Sequence, residues 1–511
     1  TYPEEILVAW LAGRIGRPVR WVETRTESMM ALGHGRAQVQ YATLGGTSDG
    51  QLLAYQLRIV QDSGAYAEEG AMLPFLTRMM APGVYALEKV DVEITSVLTN
   101  TTPVGAYRGA GRPEATAAIE RMVDRFAAEI EMEPAELRRR NFLAPDVFPY
   151  TTPTRATYDS GDYEGALDRV LAAAGYDDLR AEQARRREQG DGTLLGIGLS
   201  SYVEITNGGG EGEYGSVEVL ADGRAIVRTG TSPHGQGHAT VFAMLASDVT
   251  GIPMDRIEVR HGDTDDVPRG NGTGGSRSLQ AGGSAVQGAA EELVRLARDL
   301  AADLLEANPD DIVLDRDQGH FNVVGTPAVS RSWADVGAEF VRRPGNATLQ
   351  AAYDFEPPAG TFPFGSHVAV VEVDRDTGAV TLVRLIACDD AGRIMNPLVV
   401  DGQVHGGVAQ GAAQALWEEV RFDDDGNPLT ANFMDYAFPS AAEFPSFERV
   451  EMETLTPLNP LGSKGIGEAG TIGATPAVQN AVIDALAHLG VRHIDMPCTA
   501  ERVWRAINHA S

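Results

Sequence analysis

Cysteine is nearly absent from this 511-residue chain, which has only Cys388 and Cys498. Two thiols cannot build a disulfide scaffold or supply the thiolates that a cysteine-rich metal cluster or an iron–sulfur centre takes from protein. Positive charge is scarce as well. Against 72 Asp and Glu stand 42 Lys and Arg, a formal net charge of −30. Such a surface repels a phosphate backbone and argues against a nucleic-acid partner. No long uninterrupted apolar run occurs, so no membrane span is expected. The opening Thr1-Tyr2-Pro3-Glu4-Glu5 has neither the basic stretch nor the small-residue cleavage site of a secretory leader. Few thiols and no leader set the expectation of a reducing, cytoplasmic location. The rest is ordinary globular composition, 43% apolar and 22% charged, long enough for roughly two to four domains.

Glycine is the abundant residue: 57 occur, clustered at 207–215, 270–283 and 462–473. Glycine clusters bring bare backbone N–H groups to places where a side chain would obstruct a ligand. Flexible loops are the plainer alternative.

The chain opens as a helix. Pro3 suits a first turn, Glu4 and Glu5 complement the dipole, and Ile6, Leu7, Trp10, Leu11 and Ile15 keep helical spacing. Gly16 and Pro18 stop it, and Val19 and Trp21 then alternate as in a strand. A chain that starts flush with a helix reads as truncated at its N-terminus. Asp49-Gly50 and Asp222-Gly223 mark hairpins, Asp425-Gly426 suggests a third, and Thr377-Gly378 joins the strand-like runs 367–373 and 379–387. Amphipathic helices are expected over 113–137, over 285–305 and after Pro476. The charged stretch 177–191 reads as a solvated helix before a domain boundary near 190, which divides the chain into 1–190 and 191–511. Hairpins and helices without steady β-α alternation indicate an α+β fold.

Four segments carry chemistry. In the first, Tyr107-Arg108-Gly109-Ala110-Gly111-Arg112 is a small-residue loop that feeds a helix at Pro113, and its two arginines add to an anion-favouring helix N-terminus. In the second, Gln236 stands between Gly235 and Gly237, so its amide can donate and accept beside open backbone. His234 and His238 flank it with the spacing of a zinc pair, but without the glutamate or the regular helix such a pair needs.

The third segment, Thr273-Gly274-Gly275-Ser276-Arg277-Ser278-Leu279-Gln280, precedes a long helix. It suits a phosphate or pyrophosphate, although it lacks the Gly-Lys-Ser/Thr ending of a Walker loop. The fourth, Lys464-Gly465-Ile466-Gly467-Glu468-Ala469-Gly470, spells G-x-G-x-x-G. A dinucleotide fold would need a strand just before it and a helix opening within it, whereas Leu458-Asn459-Pro460-Leu461 precedes it and the helix is expected only near Pro476. Its notable residue is Glu468. A carboxylate among glycines and apolar residues is poorly solvated, so its pKa is expected to rise toward neutrality, as suits a general base.

Together with Gly16-Arg17-Pro18-Val19-Arg20-Trp21, Tyr158-Asp159-Ser160-Gly161-Asp162-Tyr163, Asp389 to Pro397 and Gly402 to Gly411, these segments resemble, in order and spacing, one family over essentially the whole chain. It is the family of molybdenum hydroxylase large subunits: xanthine dehydrogenase, aldehyde oxidoreductase and aerobic carbon monoxide dehydrogenase. The resemblance implies two elongated molybdopterin-binding domains of mixed hairpins and helices. It also implies a molybdenum ion held through molybdopterin cytosine dinucleotide, with no direct protein ligand to the metal. Gly235, Gln236, Gly237, Arg108, Thr273, Gly274, Gly275, Ser276, Ser278, Gln280, Lys464 and Gly465 would contact this cofactor. Tyr107, Gly109, Ala110 and Gly111 would shape the substrate pocket.

Glu468 matches the family's catalytic glutamate, the base in a reaction that inserts water-derived oxygen at the electrophilic carbon of an aldehyde or N-heterocycle. The electrons would leave through a small iron–sulfur subunit to a medium FAD subunit, in a dimer of heterotrimers. Carbon monoxide dehydrogenases place a copper-holding cysteine where this chain has Gly109, so copper is not expected and carbon monoxide becomes the alternative substrate. The family's N-terminal part, whose glycine-phenylalanine-glycine segment touches the cofactor, is missing here. A cofactor-free fragment serving in subunit assembly is therefore the other alternative.

Overall fold

The computed structural model describes residues 3–344 and 347–509. Thr1 and Tyr2, part of the opening stretch without leader features, lie outside them. Helix α1 (Pro3–Ile15) forms as its sequence suggests, but none of its residues is buried. Val19 and Trp21 belong to no strand, because alternation becomes a strand only where an edge is there to pair with. The Asp49-Gly50 turn folds β1 (Gln38–Gly46) back on β2 (Leu52–Asp62). After α2 (Leu73–Met80), β3 (Lys89–Val97) joins β2 in parallel. Helix α3 (Arg112–Glu129) ends earlier than the 113–137 periodicity suggests. Glu131 takes a φ of 55°, and Pro134, which has no N–H to continue the ladder, starts α4 (Pro134–Asn141). The charged stretch is helical, α5 (Tyr176–Gln189).

Two four-stranded sheets follow. One has the order β8-β5-β6-β7, from β5 (Glu213–Val219), β6 (Ala225–Thr229), β7 (Ile257–Arg260) and β8 (Leu349–Phe355); the other has the order β11-β10-β9-β4, from β4 (Thr193–Val203), β9 (Phe364–Asp374), β10 (Val380–Asp390) and β11 (Glu448–Met452). The Asp222-Gly223 and Thr377-Gly378 hairpins are both present, whereas Asp425-Gly426 closes only an isolated Phe422–Pro428 bridge. Helices α6 (His238–Thr250) and α7 (Ser284–Leu305) pack on the first sheet, α7 preceded by a π-helical turn over 278–283. Mixed sheets with helices on their faces make an α+β fold.

Helix α8 (Pro397–Leu416) and helix α9 (Ala469–Leu486) build the interior against the second sheet. Every residue of α9 except Asp484 is buried. It approaches β4 so closely that a Cβ at Gly198 would lie 2.1 Å from the Ala477 carbonyl oxygen. On α8 a Cβ at Gly407 would lie 3.0 Å from Gly470 Cα, and the Thr471 hydroxyl donates to the Gly407 carbonyl at 3.0 Å. This packing explains a difference from the sequence reading. The helix opens at Ala469, within the glycines, and carries Pro476 inside it, because contacts on both faces outweigh the local breaker.

Candidate active site

Segments far apart in sequence meet around a cavity of about 660 Å³. Residues of 234–242, 273–279, 391–403 and 464–468 line it, together with Ala106 and Arg108. Three helices start at its wall: α6 after Gly237, α8 after Asn396 and α9 after Glu468. Each presents the positive end of its dipole, and the starts of α6 and α9 carry no side-chain cap, whereas Asn396 caps the Val399 N–H of α8; such ends receive phosphate. Gly235 and Gly275 have φ of 105° and 59°, and a Cβ at Gly235, Gly274 or Gly275 would meet nothing within 4 Å. The bare backbone of these glycines thus faces open space. The Gln236 Oε1 accepts the His234 N–H, so its NH2 group remains available to donate.

Arg108 braces this wall. Its guanidinium donates to the Gly467 carbonyl, to Gln410 Oε1 at 2.9 Å and to the Gln403 carbonyl at 3.0 Å, which ties the 105–111 loop to α8 and to the glutamate loop. Thr273 and Ser278 pair hydroxyl to hydroxyl at 2.9 Å. Gly465 lets its loop meet the neighbouring one: a Cβ there would lie 2.4 Å from the Ser276 carbonyl oxygen.

Glu468 sits at the N-terminus of α9 and is the best-served carboxylate of the cavity. It accepts from the Gly109 N–H at 2.8 Å, from Arg112 Nη2 at 2.9 Å and from the Ser276 hydroxyl at 2.7 Å. Burial raises its pKa, as its sequence context suggests. Arg112 and these hydrogen bonds outweigh burial and hold the carboxyl below the ordinary glutamate value. The expected rise toward neutrality is therefore corrected. The reversing charge comes from Arg112, far away in sequence and invisible in the local context.

Other expected residues take different places. Gln280 does not line the cavity; it is buried on the π-helical turn and bonded to Thr206, Thr361 and the Ser276 carbonyl. The Lys464 ammonium is fully buried on Asp390 at 2.9 Å, so it pins the loop rather than reaching the open space. Ala110 packs with Leu73 and Val104, and a Cβ at Gly111 would strike Leu76 and Thr77, so both turn toward α2. Tyr107 lies under the Arg36 guanidinium, 4.6 Å from ring centre to cation. Gly109 reaches the site through its amide. His238 is buried against Thr231, and burial, with two neighbouring histidines, lowers its pKa to about 4, so it stays neutral.

Sequence reasoning missed two features. Arg393 to Asn396 and Gln403 line the cavity, and their stretches stood out in sequence without any assigned role. Glu204 lies fully buried behind Glu468, 3.6 Å from Arg112, and a lone glutamate after an apolar strand gives no local signal.

A family model described as a molybdopterin cofactor-binding domain matches residues 169–445, and a second of the same description matches residues 1–142. The carbon monoxide dehydrogenase large chain of Hydrogenophaga pseudoflava is 38% identical over 99% of this chain and 65% of its own length. The 6-hydroxypseudooxynicotine dehydrogenase complex subunit gamma of Paenarthrobacter nicotinovorans is 36% identical over 98% of this chain and 64% of its own. The crystal structure of quinoline 2-oxidoreductase from Pseudomonas putida 86 superposes with a TM-score of 0.91 at 34% identity, covering 100% of this chain and 67% of that one. The chain thus spans about 65% of the curated relatives it matches. It belongs to the molybdopterin-binding family that includes the large chains of carbon monoxide dehydrogenase.

Proposed function

We propose that this chain is the catalytic, molybdenum-cofactor-binding part of a hydroxylating oxidoreductase that inserts water-derived oxygen at an electrophilic carbon of an aldehyde or N-heterocycle. The observation that carries the proposal is Glu468. It is held ionised by Arg112, Gly109 and Ser276 at the edge of a cavity walled by bare glycine backbone and helix N-termini. These walls fit a pterin dinucleotide: the N-termini of α6 and α8 suit its phosphates, and Gly235 to Gly237 with Thr273 to Ser276 and Ser278 suit its ring system. When bound, the cofactor supplies the two-electron oxidation at molybdenum. The chain's own contribution is a carboxylate already deprotonated at neutral pH and oriented by three donors, ready to take one proton. Arg112 keeps it so without itself reacting.

Gly109 weighs against carbon monoxide as the substrate. Its φ is 93°, and a Cβ there would lie 2.8 Å from Pro113 Cγ and 3.2 Å from Ile472 Cγ1. This backbone has no room for a copper-holding side chain. The cytosine form of the dinucleotide, small iron–sulfur and medium FAD subunits, a dimer of heterotrimers, a cytoplasmic location and a division into 1–190 and 191–511 all belong to the same proposal.

Metal analysis of the natively purified complex tests it. Molybdenum without copper is expected, with turnover of an aldehyde or heterocycle. Glu468→Gln is expected to keep the molybdenum and abolish turnover. Turnover that survives this substitution removes Glu468 as the base, stoichiometric copper restores carbon monoxide, and absence of both metals leaves an assembly role.

A further inference from the structure

Behind Glu468 lies a second carboxyl whose surroundings differ in one respect: among the described residues no donor comes within hydrogen-bond distance of it. Glu204 follows β4, and its side chain is completely buried. Neither of its carboxyl oxygens finds a hydrogen-bond donor among the described residues. Arg112 stands between the two glutamates but is turned to Glu468, at 2.9 Å against 3.6 Å to Glu204. Backbone amide, hydroxyl and guanidinium all converge on Glu468, and the same Arg112 nitrogen, Nη2, is the nearest cation to both carboxyls.

The other charged or titratable groups around the pair do not serve Glu204. Arg108 gives its N–H groups to Gln410 and to the Gly467 and Gln403 carbonyls, and it makes no ion pair among the described residues. The Tyr202 hydroxyl donates to Asp389 at 2.6 Å. Asp389 also holds His367, on β9, at 2.7 Å. From the π-helical turn and from residues 361–363 come only neutral partners, Gln280 and Thr361, and these bond one another and Thr206. A buried carboxylate without a donor bears its full desolvation cost, whereas a protonated carboxyl beside a carboxylate can satisfy both with one shared hydrogen bond.

We propose that Glu204 is a protonated positioning residue, a neutral acid that donates its proton in a hydrogen bond to Glu468 and so keeps the negative charge of the pair on the carboxylate facing the cavity. This rests on the reading of Glu468 as the base. Burial, and then the charge of Glu468, push the Glu204 pKa well above the ordinary carboxylate range, in agreement with the geometry. Arg112 then meets a single negative charge, and Glu468 gains a fourth donor.

Two measurements on the loaded complex test the proposal. The first is infrared absorption at about pH 7. The wild-type minus Glu204→Gln difference spectrum is expected to contain a carbonyl stretch from one protonated carboxyl that shifts in deuterated water. Ionised-carboxylate bands in its place overturn the proposal. The second is the acid limb of the kcat/KM profile. Glu204→Gln keeps a neutral donor and should leave the limb in place, whereas Glu204→Leu removes the donor and should move it up by about one pH unit. A limb that moves to lower pH in Glu204→Gln, as loss of a neighbouring negative charge would cause, also overturns the proposal. Should Glu204→Gln fail to fold, Glu204→Asp serves instead, with the stretch displaced but present; its absence again counts against a protonated Glu204. The infrared result decides the proton on Glu204 even if Glu468→Gln retains turnover and the base assignment fails.

Discussion

Gly109→Ala is a small substitution at a tightly constrained point. At a φ of 93° an L-residue carries a left-handed penalty of about 1–2 kcal/mol. Its methyl would lie 2.8 Å and 2.9 Å from the Pro113 ring and 3.2 Å from Ile472. None of these is the free end of a flexible chain, since Pro113 opens α3 and Ile472 lies in the first turns of α9. Overpacking of this kind costs about 1–3 kcal/mol, so the total is about 2–5 kcal/mol, enough to lower the melting temperature by several degrees. The backbone has to give, and the Gly109 amide moves off Glu468. A hydrogen bond to a charged group contributes about 1.5–3 kcal/mol, and one pKa unit corresponds to about 1.4 kcal/mol. The acid limb of turnover should therefore rise by about one to two pH units. Thermal melting and a kcat/KM profile of the complex measure both effects. An unchanged melting temperature together with an unchanged limb refutes the reasoning. Gly109→Cys is expected to carry the same penalties and to bind no copper.

Other perturbations separate the parts of the site. Ser276→Ala removes a 2.7 Å donor from Glu468 and should raise the acid limb by about one unit while leaving molybdenum content intact. Lys464→Met leaves Asp390 buried without its cation and should cost about 3–5 kcal/mol. Burial then drives Asp390 to take a proton, so this loss should grow as pH rises, and Asp390→Asn in the same chain should recover much of it by thermal melting. Because the folded-state pKa of Glu468 is lowered, its ionisation stabilises the protein above the unfolded-state pKa, and this contribution is lost as pH falls through the folded value. The melting temperatures of wild type and Glu468→Gln should converge in acid.

Much of this was legible because glycine reports on backbone. The turns at Gly50, Gly223 and Gly378 were readable from the positive φ they supply, and the loops around Gln236, Ser276 and Glu468 were readable as places cleared of side chains. What escaped was decided by partners distant in sequence. Pro476 signals a helix start, yet α9 already runs there, held by α8 and β4. The 113–137 periodicity continues through a break made by the Glu131 backbone and by Pro134, which starts the next helix. The apolar setting of Glu468 points to a raised pKa, and Arg112 reverses it. Lys464 reads as a cofactor contact, and the Asp390 that takes its buried ammonium lies far away in sequence.

The seam between α8 and α9 has a mechanical consequence. Where Gly407 meets Gly470 and Gly411 meets Ala474, no cushion of rotatable side chains separates the two helices, and such a contact has little compliance. The distance from α8 to Glu468 is therefore set by main-chain geometry and not by the choice of packing residues. Sequence can drift in the rest of the cavity wall, changing what the cavity admits, while Glu468 stays in register.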